Sequence, residues 1–171
     1  MNSESDPAGR RPLWAPWRLE YVRSDRAEGC PFCDAVAAVD DPNSLVLERR
    51  THCLTMLNAY PYASGHLMVL PSRHVAQLEA ISDAEARELT QLTQRAIRAL
   101  TQVMQPDGFN VGLNLGTAAG AGVAEHLHQH VVPRWSGDTN FMPVIADTGV
   151  LPAALEATRA SLAAALARIP V

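Results

Sequence analysis

The sequence lacks any apolar run near the ~20 residues that a bilayer-spanning helix requires, which predicts no membrane span. It also lacks an excess of basic charge: 14 Lys+Arg against 18 Asp+Glu leave a net charge of -4 and a pI near 5.8. Nucleic acid is therefore not the expected partner, because a general nucleic-acid binder is usually basic. A small phosphorylated ligand stays open, since a pocket can be locally positive on an acidic chain. The opening MNSESDPAGRRP lacks the apolar centre of a secretory signal, so a cytoplasmic location is expected. Cysteine is scarce. Cys30, Cys33 and Cys53 are an odd number and do not suggest a secreted disulfide framework. Internal repeats are lacking as well.

What is present suits one globular domain: 171 residues, 47% hydrophobic and 19% charged, enough to bury a real core. Residues 1–12 are expected to form a flexible tail and residues 13–171 a single domain. LWAPWRLEYV (Leu13–Val22) is expected to bury its aromatics against the body. Asp34–Ser44 reads as a short helix and a turn at Asp41–Pro42–Asn43. Apolar strands are expected at Leu45–Glu48, Cys53–Asn58 and His66–Leu70, with short links that favour antiparallel pairing. Ser82 and Glu85 form a capping box, and Leu89, Leu92, Ala96, Ile97, Leu100 and Val103 then keep helical spacing until Pro106 and Gly108. Phe109–Asn114 and His126–Pro133 read as two further strands, joined by the small-residue loop LGTAAGAGVAE. An alanine-rich helix near the end carries Leu155, Leu162, Leu166 and Ile169 on one face. The fold class is α+β: a five-stranded antiparallel sheet with a long helix and a C-terminal helix packed on it.

EHLHQHVVPRW (Glu125–Trp135) holds three of the six histidines within five residues. In a strand His126, His128 and His130 share one face, and Leu127, Gln129 and Val131 the other. Three rings in a row do not make a core face. Two chemistries use such a row. Histidines spaced this way can ligate a catalytic zinc. Alternatively, a neutral imidazole attacks phosphorus while a neighbouring ring protonates the leaving group. Spacing alone leaves both open, although the glycine-rich loop ahead lets backbone amides approach a bound anion.

H-L-H-Q-H-V-V resembles the signature of the histidine triad (HIT) family, and Pro133–Arg134 directly after it fits that pattern. LNAYPYASGHLMVLPSRH (Leu57–His74) resembles the family's upstream segment, and GFNVGLNLG (Gly108–Gly116) the strand before its phosphate loop. WAPWRLEYV and PRWSGDTNF are similar to an actinobacterial branch described as diadenosine tetraphosphate phosphorylases. The resemblance runs from about Trp14 to Phe141.

It implies a nucleotidyl transferase or hydrolase acting on dinucleoside polyphosphates. His128 is then the nucleophile and forms a nucleotidyl-histidine intermediate, which its ordinary pKa of ~6.5 makes chemically reasonable near neutral pH. His130 contacts the phosphate and the leaving oxygen, His126 supports or ligates metal, and His66 orients the triad. Asn58 is implied at the ribose hydroxyls, Asn114, Gly120 and Gly122 at the phosphate, and Trp135 near the substrate. The partner is an adenosine-containing nucleotide, and a homodimer is expected. A nucleoside phosphoramidate hydrolase, a nucleotide-binding regulatory module and a metallohydrolase are the competing readings. One departure matters. Relatives carry a Gln, Ser or Thr donor in the loop, where this chain has Gly120–Ala121–Gly122–Val123. Losing one donor at a developing charge costs on the order of 10²–10³ in rate unless backbone amides or Thr117 substitute.

Cys30–Pro31–Phe32–Cys33 has C-x-x-C spacing without the βαβ setting of a redox pair. Some bacterial relatives hold structural zinc with such a pair. The resemblance implies the set Cys30, Cys33, His74 and His126, a closed tetrahedral site, and no catalytic cofactor. Cys53, in an apolar strand, is expected to be a small core residue.

Overall fold

The structure is a computed structural model and describes residues 29–39, 41, 44–138 and 155–170. The expected tail, the aromatic segment Leu13–Val22, part of the Asp41–Asn43 turn and the end of PRWSGDTNF lie outside the described residues. The first helix, α1 (Pro31–Ala37), starts three residues before the expected Asp34. Pro31 sits at a helix start, where its missing N–H would have no partner anyway and its fixed φ is already helical.

Five strands form one antiparallel sheet: β1 (Val46–Arg49), β2 (Cys53–Leu57), β3 (Leu67–Pro71), β4 (Gly108–Leu113) and β5 (Gln129–Arg134). Their spatial order is β1-β2-β3-β5-β4, so β5 inserts beside β3 and leaves β4 at an edge. All residues of β2 and β3 are buried, so both faces of the sheet centre are covered. Cys53, Leu57, Leu67, Val69 and Val131 meet the long helix α2 (Asp83–Met104) and the C-terminal helix α3 (Leu155–Leu166). Leu54, Met56, Met68 and Leu70 face the other way and pack on Phe32 of α1. The period-2 alternation thus splits one strand between a structural core and the layer beneath α1.

α2 begins where the capping box predicts. The Ser82 hydroxyl accepts from the Glu85 N–H (3.3 Å), and the Glu85 carboxylate accepts from the Ser82 N–H (2.7 Å). Leu89, Leu92, Ala96 and Leu100 are buried, whereas Val103 is exposed, because it falls near the helix end past the sheet. Gly65, just before β3, has φ +79, and a Cβ there would lie 2.5 Å from Met104 Sδ. Only glycine lets the chain pass this close under α2 while turning to present His66.

Two charged pairs lock the frame. Buried Arg95 of α2 donates to Glu48 (2.6 Å) and to the carbonyls of Leu166, Ile169 and Pro170, fastening the end of α3 to α2 and β1. Arg73 donates to both carboxylate oxygens of Glu85, each at 3.0 Å. Among the described residues, no helix is long and apolar enough to cross a membrane.

The Arg73 guanidinium, then the Ser82 N–H, hold the Glu85 carboxyl at about 2, below its ordinary 4.5. Glu85 binds its proton more readily in the unfolded chain, so its contribution to stability is full above about 4.5 and is lost as pH falls towards 2. Urea midpoints measured between those limits should fall more steeply for the wild type than for Glu85→Gln; parallel curves would contradict this assignment.

Candidate active site and metal centre

The alternating histidines predict a strand from His126, but the ladder begins at Gln129. Ahead of it the Leu127 N–H donates instead to the Val75 carbonyl (2.6 Å), so the chain crosses the end of β3 before joining the sheet. The division of sides survives this correction. Gln129 reaches towards α2 and donates to Thr93 Oγ1 (2.7 Å), and Val131 joins the core there. His128 and His130 line a cavity on the opposite face. Two of the three rings are buried: His126 is 0% and His128 5% exposed, while His130 is half-buried. The cause is α1, whose buried Phe32 lies 5.5 Å from the His126 ring and 4.9 Å from the His128 ring.

Hydrogen bonds set the tautomer of each ring. His128 Nδ1 lies 2.8 Å from the His126 carbonyl, which can only accept, so Nδ1 carries the proton and Nε2 the lone pair. Burial lowers the His128 pKa from 6.5, against the opposing pull of that bond, so the ring is neutral at pH 7. His66, fully buried, accepts the Tyr62 N–H at Nδ1 (3.1 Å), so its Nε2–H donates to His130 Nδ1 (3.0 Å). His130 therefore carries its own proton on Nε2. Two adjacent rings emerge with opposite roles: His128 has an Nε2 lone pair and His130 an Nε2–H donor.

The cavity around them is largely apolar. Its lining includes Phe32, Met56, Met68 and Val123, which pack together, and Asn58, Tyr60 and Tyr62. Asn58 Oδ1 accepts the Tyr60 N–H (2.8 Å), which fixes the turn and keeps the amide at the cavity wall.

Behind the cavity, Cys30, Cys33, His74 and His126 place their donor atoms within 4.8 Å of one another. His126 Nδ1 is 3.4 Å from Cys30 Sγ and 3.7 Å from Cys33 Sγ, and His74 Nδ1 is 3.2 Å from Cys33 Sγ. Tetrahedral zinc, with bonds of about 2.0–2.3 Å, sets its sulfur and nitrogen ligands roughly 3.6 Å apart. The donor set therefore fits a metal ion. His126 Nε2–H donates to the Pro71 carbonyl (2.9 Å), which turns the Nδ1 lone pair towards the cluster in the manner of a metal ligand. Burial also lowers the His126 pKa, keeping that lone pair unprotonated. Cys53 stands apart, 0% exposed in the core, with a thiol pushed up to about 12 by burial and so kept inert.

The HIT domain model matches residues 40–137, more than half of the chain.

The chain belongs to the HIT family.

Its HIT relatives include the AP-4-A phosphorylase of Mycobacterium tuberculosis, 46% identical over 167 residues that cover 92% of this chain and 85% of that protein. Protein hit of Bacillus subtilis is 31% identical over 67% of this chain and 77% of its own length. Among solved structures, a Zn-bound histidine triad family protein from Mycobacterium smegmatis superposes with a TM-score of 0.66 at 28% identity, covering 82% of this chain and 94% of that one. A HIT family member from B. subtilis matches with a TM-score of 0.58 at 30% identity, over 64% of this chain and 76% of that one. The expected HIT fold and branch resemblance both hold.

Of the HIT residues named from the sequence, Asn58, Gly122, His128 and His130 line the cavity, and His66 contacts His130 from behind. All four expected metal ligands meet in one cluster. Asn114, Gly120 and Trp135 lie off the cavity wall. Asn114 packs by the Gly120 turn, and the Trp135 N–H is taken by Asp138 Oδ2 (3.2 Å). Sequence reasoning missed Phe32, Met56, Met68, Tyr60 and Tyr62 as wall residues; only the two tyrosines, beside the Gly65–His66 pair, carried a local signal.

Metal analysis of purified protein checks the cluster. Cys30→Ser should lose most of one equivalent of bound zinc, and His128→Gln should keep it. Equal retention in both variants, or loss in both, would contradict the assignment.

Proposed function

We propose that this HIT protein transfers a nucleotidyl group from a dinucleoside polyphosphate such as diadenosine tetraphosphate, through a nucleotidyl-histidine intermediate on His128, with inorganic phosphate as acceptor. The observation that carries this reading is the pair of opposite tautomers in one cavity, an Nε2 lone pair on His128 beside an Nε2–H on His130. The 46% identity to a protein named AP-4-A phosphorylase supports the choice of substrate.

In the first half-reaction His128 Nε2 attacks the α-phosphorus. The bond from phosphorus to the bridging oxygen breaks, and the His130 Nε2–H donates a hydrogen bond to that oxygen as ATP leaves as the anion. In the second, an oxygen of inorganic phosphate attacks the same phosphorus and the N–P bond breaks. ADP is released, the acceptor's proton passes to solvent, and the His128 Nε2 lone pair is restored. Water in place of phosphate gives AMP. Asn58 is the residue for the ribose hydroxyls, and Gly122, at the cavity wall, is the loop residue for the phosphates, because the Gly120 and Ala121 amides are held by the Thr117 and Gly116 carbonyls.

Zinc is the metal this reading places in the cluster, where two thiolates and two imidazoles close the coordination shell and make it structural. Cys30 and Cys33 would anchor the start of α1, and His126 would orient the carbonyl that holds His128. No catalytic cofactor is required. A reducing, cytoplasmic setting agrees with the free thiols, and exposed Val111 on edge strand β4 agrees with a homodimer.

Product analysis with diadenosine tetraphosphate, with and without phosphate, tests the proposal. ADP and ATP should form in equal amounts when phosphate is present, with far slower AMP release without it. Equal AMP release in both would identify a hydrolase. The loop without a Gln, Ser or Thr donor specifically favours a second reading, a nucleotide-binding regulatory module. Undetectable wild-type turnover with normal AMP binding by His128→Ala would support it. Faster cleavage of an adenosine phosphoramidate than of any dinucleotide would instead point to a phosphoramidate hydrolase.

A further inference from the structure

Five aromatic rings are linked by contacts across the site, the last three as a cluster in which Tyr62 also lies 5.9 Å from His130. Phe32 lies 4.9 Å from His128, His128 5.0 Å from His130, His130 5.1 Å from His66, and His66 4.8 Å from Tyr62. Phe32 at one end is buried, and it shares its part of the cavity with Met56, Met68 and Val123. Tyr62 at the other end is 41% exposed, and Tyr60, two residues away, is 45% exposed. Both tyrosines line the same cavity. Large aromatics that stay open beside a cavity are the surface on which a planar base stacks.

Tyr62 is held in a defined pose. Its ring is nearly parallel to His66, at an interplanar angle of 18°, and its N–H is engaged by His66 Nδ1. One ring face is thus stacked on His66, while 41% of the residue stays exposed. Tyr60 is fixed by its N–H bond to Asn58 Oδ1. The platform is preorganised, which lowers the ordering cost of binding.

In-line displacement puts the attacking nitrogen and the leaving oxygen on opposite sides of phosphorus. His130, the donor to that oxygen, lies between His128 and the His66–Tyr62 stack. The half of the substrate that departs therefore extends from His130 towards the tyrosines. We infer that Tyr60 and Tyr62 form a subsite for the nucleobase of the leaving nucleotide, distinct from the Phe32 end that takes the transferred nucleoside. This rests on the proposed reaction and deepens it: the tyrosines are specificity-determining residues that distinguish a substrate with two bases from one with a single base.

The test uses full-length His128→Ala protein, in which no turnover occurs, and two probes with four phosphates each. Diadenosine tetraphosphate carries both bases; adenosine 5′-tetraphosphate carries one. The two-base probe should bind roughly 5- to 100-fold more tightly, the span of a single base stacked on an aromatic ring. Adding Tyr60→Ala and Tyr62→Ala should bring the ratio of the two dissociation constants within about 2-fold of unity on the same scale. Tyr60→Leu with Tyr62→Leu keeps apolar bulk without a π-face and should collapse the ratio too; it carries the test if the alanine pair fails to fold. A ratio near unity before the tyrosines are changed, or one that survives the change, overturns the subsite. Wild-type turnover in product analysis is a separate readout, so loss of the subsite and loss of the reaction are distinguishable.

Discussion

A single hydrogen bond decides the chemistry of this site: His128 Nδ1 donating to the His126 carbonyl at 2.8 Å. A neutral imidazole has one lone pair, and this bond assigns it to Nε2. Reversing the tautomer would leave the cavity facing an N–H, with no nucleophile. The bond is local in sequence, yet the carbonyl it needs is held from far away. His126 is fixed by the Pro71 carbonyl through Nε2–H, by the neighbouring Leu127 N–H on Val75, and by two cysteines 93 and 96 residues earlier. Catalytic groups must be held close to their productive geometry by such supporting bonds.

The same economy joins three parts of the molecule. His126 contributes its carbonyl to the proposed nucleophile and its ring to the metal cluster. Phe32 sits between two cluster cysteines and packs on His126 and His128. A metal in the cluster would therefore brace α1 against the active site. On the far side His66 plays the matching part, buried under the Gly65 turn and passing its Nε2–H to His130. The sheet supplies the distance between these supports, since Met68 of β3 pairs with His130 of β5.

Much of this was legible in the residues, for reasons of periodicity. The Ser82–Glu85 capping box marked α2, and two-residue spacing separated His128 and His130 from Gln129 and Val131. Spacing reports sidedness but not pairing, so it misplaced the start of β5 by three residues, from His126 to Gln129. The four metal ligands came from family resemblance, since no local pattern joins Cys30 to His126. Contacts made only in three dimensions left no trace in the pattern. Arg95 carries no signal in the helical spacing, yet it is buried and binds Glu48 and three carbonyls near the C-terminal helix end. Phe32, between two cysteines, carries no signal of its own, and it forms part of the cavity wall.

Rapid-quench labelling is the most direct measurement of the central claim. Wild-type protein mixed with adenine-labelled diadenosine tetraphosphate, without phosphate, and quenched in base should carry an acid-labile adenylyl group, which peptide mapping places on His128. Label on another residue, or none at any time while the substrate is being cleaved, would contradict the covalent mechanism.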